Sequence, residues 1–175
     1  MPDTESPIED IFEHAFYKHA LPDLQLERQR EFVTQIGKFR VDFVLPFEGY
    51  LIGFECDGLE YHNIGDDEIR DAALLGEGHL GTMYHLPGRE LWYEPGYAIE
   101  FIATRDSLFP DRTLSVVRRQ IETNSIQTSS YLRRWSRVSP MAPREFWICL
   151  YGHILEWNCD SIADYKAKER VHYKW

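Results

Sequence analysis

Apolar and polar residues alternate between positions 24 and 57 in a way that predicts three β-strands. Residues 24–34 alternate in part, residues 38–45 alternate well, and residues 50–57 form a third extended run, with turns at 35–37 and 46–49. We predict an antiparallel meander from these three strands. In its middle strand, one face is predicted to carry Phe39, Val41, Phe43 and Leu45, and the other Arg40, Asp42 and Val44.

A helical pattern precedes the meander. Ser6 is predicted as the N-cap and Pro7 as the first helical residue, with Glu9 as the reciprocal partner of a capping box. Pro22 is predicted to end the element. Apolar residues recur at helical spacing within it, namely Ile8, Ile11, Phe12, Ala15 and Phe16.

After the meander the pattern predicts a helix at 66–75, a strand at 82–86 and a helical segment at 89–104 that Pro95-Gly96 must interrupt. The order helix, three strands, helix, strand, helix predicts an α/β core at 1–107, in which the late strand joins the sheet through a helical crossover. The C-terminal extension, 108–175, is predicted to contain a helix at 114–121, a loop at 123–130, a hairpin at 146–157 turning at Gly152-His153, and a last helix at 161–171.

Composition narrows the class of protein. Of 175 residues, 43% are hydrophobic, which is enough for a packed core, and no apolar run reaches the roughly 20 residues that span a bilayer. We therefore expect no membrane association. Three widely separated cysteines favour reduced thiols and a cytoplasmic protein.

The net charge of −10 argues against a general nucleic-acid binder, but the charges are unevenly distributed. Residues 1–104 carry 21 acidic and 7 basic residues, whereas residues 105–137 carry 7 basic and 3 acidic ones. An acidic body with a basic segment is compatible with carboxylates that bind a metal and arginines that contact phosphate. A solvated acidic surface is the alternative.

Three carboxylates lie on the second and third predicted strands. Strands disfavour Asp, and yet Asp42 stands mid-strand, while Glu55 and Asp57 share a face on the next strand because side chains alternate with a period of two. A hairpin that places Leu45 opposite Ile52 sets Asp42 against Glu55, and a shifted one sets Asp42 against Gly53. Both put the three carboxylates on one surface. Buried charge must be paired or ligated, so a divalent cation is predicted there, with a solvated strand face as the alternative.

Five segments in this order resemble the PD-(D/E)XK nuclease superfamily, over roughly residues 5–105. The branch that includes very-short-patch-repair-like endonucleases and related uncharacterised bacterial domains is the most similar. The segments are SPIED (6–10), GKFRVDFVLP (37–46), LIGFECDGLEYH (51–62), DDEIRDAALLGEG (66–78) and YHLPGRELWYEP (84–95).

The resemblance implies a restriction-endonuclease-like core that binds Mg²⁺, for which Mn²⁺ can substitute. It implies Asp42, Glu55 and the backbone carbonyl of Cys56 as metal ligands. Glu9 resembles a supporting glutamate of the first helix, with Glu13 as its substitute if Glu9 only caps. Asp57 stands where the family usually has lysine. His62 is then a candidate for the positive role, or else a surface histidine, and Arg70 resembles a family arginine that pairs with a motif carboxylate, contacts phosphate or forms a surface ion pair.

We thus expect a metal-dependent endonuclease that hydrolyses phosphodiester bonds, with DNA as its partner. The candidates for phosphate contact are Arg70, Arg112, Arg118, Arg119, Arg133, Arg134 and Arg137. The alternatives are a catalytically inactive nuclease-fold module that binds nucleic acid or protein, and an RNA-cleaving toxin or effector. A homodimer, or a protein partner bound through the C-terminal extension, is a further expectation.

Overall fold

The computed structural model describes residues 6–57, 64–124, 136–138 and 141–173, which form an α/β structure. Seven helices and five strands are present in these residues. They are α1 (Pro7–His19), β1 (Glu27–Thr34), β2 (Gly37–Phe47), β3 (Tyr50–Asp57), α2 (Ile64–Gly76), β4 (Thr82–Pro87), α3 (Gly88–Tyr93), α4 (Gly96–Ala103), α5 (Thr113–Asn124), β5 (Ser136–Val138), α6 (Met141–Trp157) and α7 (Ile162–Tyr173).

The strands form one mixed sheet in the order β1-β2-β3-β4-β5. The predicted antiparallel meander of β1, β2 and β3 is confirmed, and so is the crossover, because β4 follows α2 and pairs parallel to β3. Leu45 pairs with Ile52, which is the first of the two predicted hairpin registers. Continued along the strands, this register sets Asp42 across from Glu55.

Helices cover the sheet on two sides. On one side, α1, α3, α4 and α5 enclose a cluster that we call the aromatic core, which includes Phe12, Phe16, Phe43, Phe54 and Tyr84. On the other side, α2 buries Leu74 and Leu75 against Val44 and Met83. Apolar residues at alternate strand positions thus hold helices on both faces, as expected for a buried α/β sheet.

The predicted alternation of β2 is wrong at one point. Val41 packs with the α2 cluster, whereas Phe43 and Leu45 pack in the aromatic core, so the strand does not keep its odd-numbered residues on one side. The side of the sheet on which the odd-numbered residues pack changes at Asp42. There the regular β1–β2 pairing is interrupted, and the residue across from it, Gln29, has a φ of 52°.

Helix boundaries follow the capping chemistry. The Ser6 side chain accepts a hydrogen bond from the Ile8 backbone N–H, and Pro7 opens α1, as predicted. The helical segment after β4 is interrupted at Pro95, also as predicted, because proline lacks the backbone donor that a continuing helix needs. The helices predicted at 114–121 and 161–171 are confirmed as α5 and α7.

The predicted hairpin at 146–157 is wrong, because these residues belong to helix α6. Trp147, Leu150 and Ile154 recur at helical spacing and are buried against α2, so the segment follows the 3.6-residue period rather than the strand period. A Cβ at Gly76 would clash with the Trp147 side chain, which shows how closely α6 packs on α2. Of the loop predicted at 123–130, residues 125–130 lie outside the described part. No described helix is long and apolar enough to cross a membrane.

Candidate functional site

Charged residues from four elements meet at the carboxyl ends of β3 and β4. Glu55 and Asp57 lie on β3, and Glu55 pairs in register with His85 on β4. Because Phe54 and Tyr84 face the aromatic core, the residues that follow them face α2, which contributes Arg70 and Asp71. Sheet register and strand alternation together therefore gather these side chains.

Asp42 joins this group from β2. Its Oδ2 accepts the backbone N–H of Cys56 at 2.9 Å, and its Oδ1 accepts the Gln29 side-chain amide at 3.2 Å. Burial raises the pKa of Asp42, the two hydrogen bonds oppose that rise, and the nearby Asp57 adds to it. The side chain thus ties β2 to β3 and lies within electrostatic reach of the other carboxylates.

Glu55 is the most deeply buried of the predicted ligands, with 5% of its surface exposed. Arg70 approaches it at 3.7 Å. Burial raises the pKa of Glu55 to about 8, Arg70 partly opposes the rise, and Asp42 and Asp57 reinforce it. Among the described residues, none donates a hydrogen bond to Glu55 Oε1, which is buried. This oxygen is a strong acceptor that the described protein groups leave unused.

Asp57 does not replace the charge of the lysine that the resembled family carries there, but a cation lies beside it. His85 Nδ1 is 3.1 Å from Asp57 Oδ2, and His85 Nε2 is 2.6 Å from Asp71 Oδ2. Burial alone would lower the pKa of His85, but its hydrogen bonds to the two carboxylates outweigh that effect and raise the pKa to about 10. His85 is therefore an imidazolium held between two carboxylates.

Sequence reasoning missed His85, Asp71 and Gln29. His85 is a polar residue inside an otherwise apolar strand, which is the same signal that singled out Asp42, so it could have been found. Asp71 and Gln29 give no such signal, because charged residues on a helix and polar residues on an edge strand are common at solvated surfaces.

Arg70 is 14% exposed as a side chain and lies 3.6–3.8 Å from Asp67, Asp71 and Glu55. It pairs with Glu55, as predicted, and also with Asp67 one turn earlier on α2, which is an ion pair within the helix like the one weighed against it. Contact with phosphate stays a prediction for this residue.

Glu9 both caps helix α1 and lies close to the carboxylate of Asp42. It accepts a hydrogen bond from the Ser6 backbone, and its Oε2 accepts the Gln29 amide at 2.7 Å. Burial and the charge of Asp42 raise its pKa. Glu13, the predicted substitute, is instead paired with Arg28 at 2.9 Å.

The predicted phosphate-binding arginines fall into three groups. Arg112, Arg118 and Arg119 lie exposed at the start of α5 or along it, and Arg118 pairs with Glu100 at 2.6 Å. Arg137 forms a two-pronged contact with Asp106 at 3.0 and 3.2 Å, which joins β5 to the turn after α4. The third group, Arg133 and Arg134, lies outside the described residues, as does His62.

The donor chemistry of the site suits a divalent cation. Mg²⁺ and Mn²⁺ prefer carboxylate and carbonyl oxygens, and Glu55 supplies a buried carboxylate oxygen without a hydrogen-bond donor from the described residues. The raised pKa of Glu55 means that burial and the neighbouring acids disfavour its ionised form. A further positive charge beside it would favour that form. Within the described ranges, no three His, Cys, Asp or Glu side chains are arranged as a complete metal-binding group. Asp42 and Glu55 would therefore need to be completed by other oxygens.

Comparison of the chain with models of known families, with characterised proteins and with solved structures gives no match.

Proposed function

We propose that the protein is a Mg²⁺-dependent endonuclease with a restriction-endonuclease-like core, acting on DNA phosphodiester bonds. The observation that carries the proposal is the buried carboxylate of Glu55, which has a pKa near 8 and an oxygen without a hydrogen-bond donor from the described residues. A buried acid in this state is an unfavourable feature for stability alone, and such residues concentrate at functional sites.

In this proposal Asp42 and Glu55 hold the cation, with the backbone carbonyl of Cys56 as a further ligand. When bound, the cation supplies positive charge that stabilises the phosphate during hydrolysis. Arg70 limits the repulsion between Glu55 and its neighbours, because its guanidinium lies within 4 Å of three carboxylates. His85 holds Asp57 in place by a hydrogen bond from its buried ring.

The charge distribution supports an anionic substrate once the acidic group is neutralised. The chain carries a net charge of −10, so unscreened carboxylates would repel a phosphate backbone. Arg112 and Arg119 are exposed and are the natural phosphate contacts on the described part of the basic segment. Arg133 and Arg134 belong to the same segment and are proposed for the same role.

A plasmid-nicking assay tests the proposal. We expect cleavage with Mg²⁺ or Mn²⁺, none with EDTA, and a loss of more than about 100-fold in Asp42→Ala, because one direct ligand is removed. Glu68→Gln, an exposed change on α2, is the control and should cleave as the parent does. Undiminished metal-dependent cleavage by Asp42→Ala would contradict the site. RNA substrates run side by side decide between a DNA enzyme and the RNA-cleaving alternative.

The second candidate is a module that binds nucleic acid or protein without cleaving it. One observation favours it: Arg70 already lies beside Glu55, and His85 already bonds Asp57, so much of the buried charge is compensated within the protein. Calorimetry with Mn²⁺ separates the two candidates. A protein that binds DNA but neither takes up Mn²⁺ nor nicks any substrate is the module.

A further inference from the structure

Gln29 is held in a backbone conformation that its position does not explain. It lies within β1, across from Asp42, yet its φ of 52° is in the left-handed region, which non-glycine residues rarely adopt. The neighbouring pairs Arg28–Phe43 and Arg30–Val41 are regular, so the irregularity is local. Backbone conformations of this kind persist where surrounding contacts over-determine them, and they cluster at functional sites.

The Gln29 side chain is oriented by two carboxylates from different elements. Its Nε2 donates to Glu9 Oε2 on α1 at 2.7 Å and to Asp42 Oδ1 on β2 at 3.2 Å. Carboxylates accept hydrogen bonds and do not donate them when ionised, so the nitrogen, and not the oxygen, must face both. The hydrogen-bond partners therefore settle which way the amide is turned.

The other atom of the amide, Oε1, is buried and accepts no hydrogen bond from the described residues. Glu55 Oε1, on a side chain whose surface is 94% covered, is in the same state. These two are among the buried oxygens of the site that take no hydrogen bond from the described residues. A divalent cation satisfies oxygens of this kind, because amide and carboxylate oxygens are both ligands for hard cations.

We propose that Gln29 is a ligand of the divalent cation through Oε1, and that its Nε2 holds Asp42 and Glu9 in place for that cation. The inference rests on the proposed metal site and adds a neutral ligand to it. It also makes Glu9 a positioning residue that acts through Gln29. A neutral oxygen completes the coordination without adding to the repulsion among the carboxylates.

Calorimetric titration of the full chain with Mn²⁺ tests this ligand without relying on cleavage. Gln29→Leu keeps the approximate size of the side chain but removes both amide atoms, and we expect Mn²⁺ to bind at least about 10-fold more weakly. Gln29→Glu keeps an oxygen, loses the N–H donors and adds a charge. We expect it to unfold at a lower temperature than the parent in EDTA, because it sets a third carboxylate against Glu9 and Asp42.

Gln35→Leu, an exposed change in the β1–β2 turn, is the matched control and should bind Mn²⁺ as the parent does. Parent-like Mn²⁺ affinity in folded Gln29→Leu would overturn the ligand role. If Gln29→Leu does not fold, Gln29→Met, which is unbranched like glutamine and also lacks the amide, decides: Mn²⁺ binding at least about 10-fold weaker than that of the parent supports the role, and parent-like affinity overturns it. Asp42→Ala separates this inference from the proposed function. If Asp42→Ala binds Mn²⁺ as the parent does, the proposed metal site itself is refuted. If Asp42→Ala loses Mn²⁺ binding while Gln29→Leu binds it as the parent does, only the ligand role of Gln29 is refuted.

Discussion

Strands β3 and β4 present two very different environments on their opposite faces. Phe54 and Tyr84 face the aromatic core, where their rings stack at 5.3 Å, and both are fully buried. The next residue on each strand, Glu55 and His85, faces α2 and belongs to the cluster of charged side chains described above. A shift of one residue along the same backbone thus separates an apolar core from a buried charged site.

This difference indicates that the aromatic core supplies most of the stability, whereas the charged face carries the groups available for chemistry. The aromatic core removes large apolar surfaces from water, and its rings lie at favourable separations, such as 5.4 Å between Phe12 and Phe54. The charged face instead keeps Glu55 with an unused acceptor and a pKa displaced toward neutrality. Such a site persists because the opposite face supplies the stability that it does not.

Phe54→Ala should break the aromatic side of this comparison and have the largest effect. Removal of a fully buried ring that contacts Phe12, Phe16 and Tyr84 should lower the free energy of unfolding by about 3–5 kcal/mol, through lost burial and a residual cavity. Urea denaturation measures the change. Val33→Ala, at a strand position that is 66% exposed, is the control and should shift stability by less than about 0.5 kcal/mol. Equal effects of the two changes would refute the assignment of stability to this core.

His85→Gln should break the charged side, with a smaller loss of about 2–3 kcal/mol. The variant removes the positive charge between Asp57 and Asp71, and a neutral amide replaces hydrogen bonds to charged groups that are each worth about 1.5–3 kcal/mol. Denaturation in EDTA at pH 7 measures this. His79→Gln is the matched control, because His79 is half-buried and, within the described part of the chain, bonds one carboxylate, Glu77 at 3.1 Å, rather than two. A loss no larger than that of the control would show that His85 is not an imidazolium here.

The pH dependence of stability should sharpen the comparison with an effect that is the smallest when it is expressed per pH unit. Glu55 has a pKa raised from 4.5 to about 8, so between these pH values the folded state binds the proton that the unfolded state has released. Glu55 alone should therefore make the stability of the metal-free protein fall as pH rises through that window, by up to about 1.4 kcal/mol per pH unit. His85, raised from 6.5 to about 10, contributes stability that is fully present below pH 6.5 and is lost toward pH 10.

Glu55→Gln isolates the first of these contributions. The variant lacks the titrating carboxyl, so the slope between pH 4.5 and 6.5 should flatten, and the slope between pH 6.5 and 8 should fall to the part that His85 contributes, while the decline toward pH 10 remains. Thermal unfolding of both proteins in EDTA across this range provides the measurement. Parallel curves for parent and variant would mean that Glu55 titrates as an exposed acid does.

Local patterns predicted most of the elements but not how they meet. The meander, the crossover to β4 and the start of α1 follow from periodicity, turns and capping, all of which act over a few residues. The hairpin predicted at 146–157 failed because a segment rich in apolar residues suits either period, and only burial of Trp147, Leu150 and Ile154 against α2 makes it a helix. The face of Val41 was mispredicted because alternation presumes a regular strand, which the irregular pairing at Gln29 interrupts.

The sequence by itself determined that Asp42, Glu55 and Asp57 would come from neighbouring strands, because alternation and a short turn restrict an antiparallel hairpin to a few registers. Only the tertiary structure decided the partners of these acids. Gln29, Arg70, Asp71 and His85 come from β1, α2 and β4, and no spacing along the chain specifies that they meet. Burial among those partners sets the pKa of each acid, so the chemistry of the site depends on long-range packing, whereas its skeleton depends on local pattern.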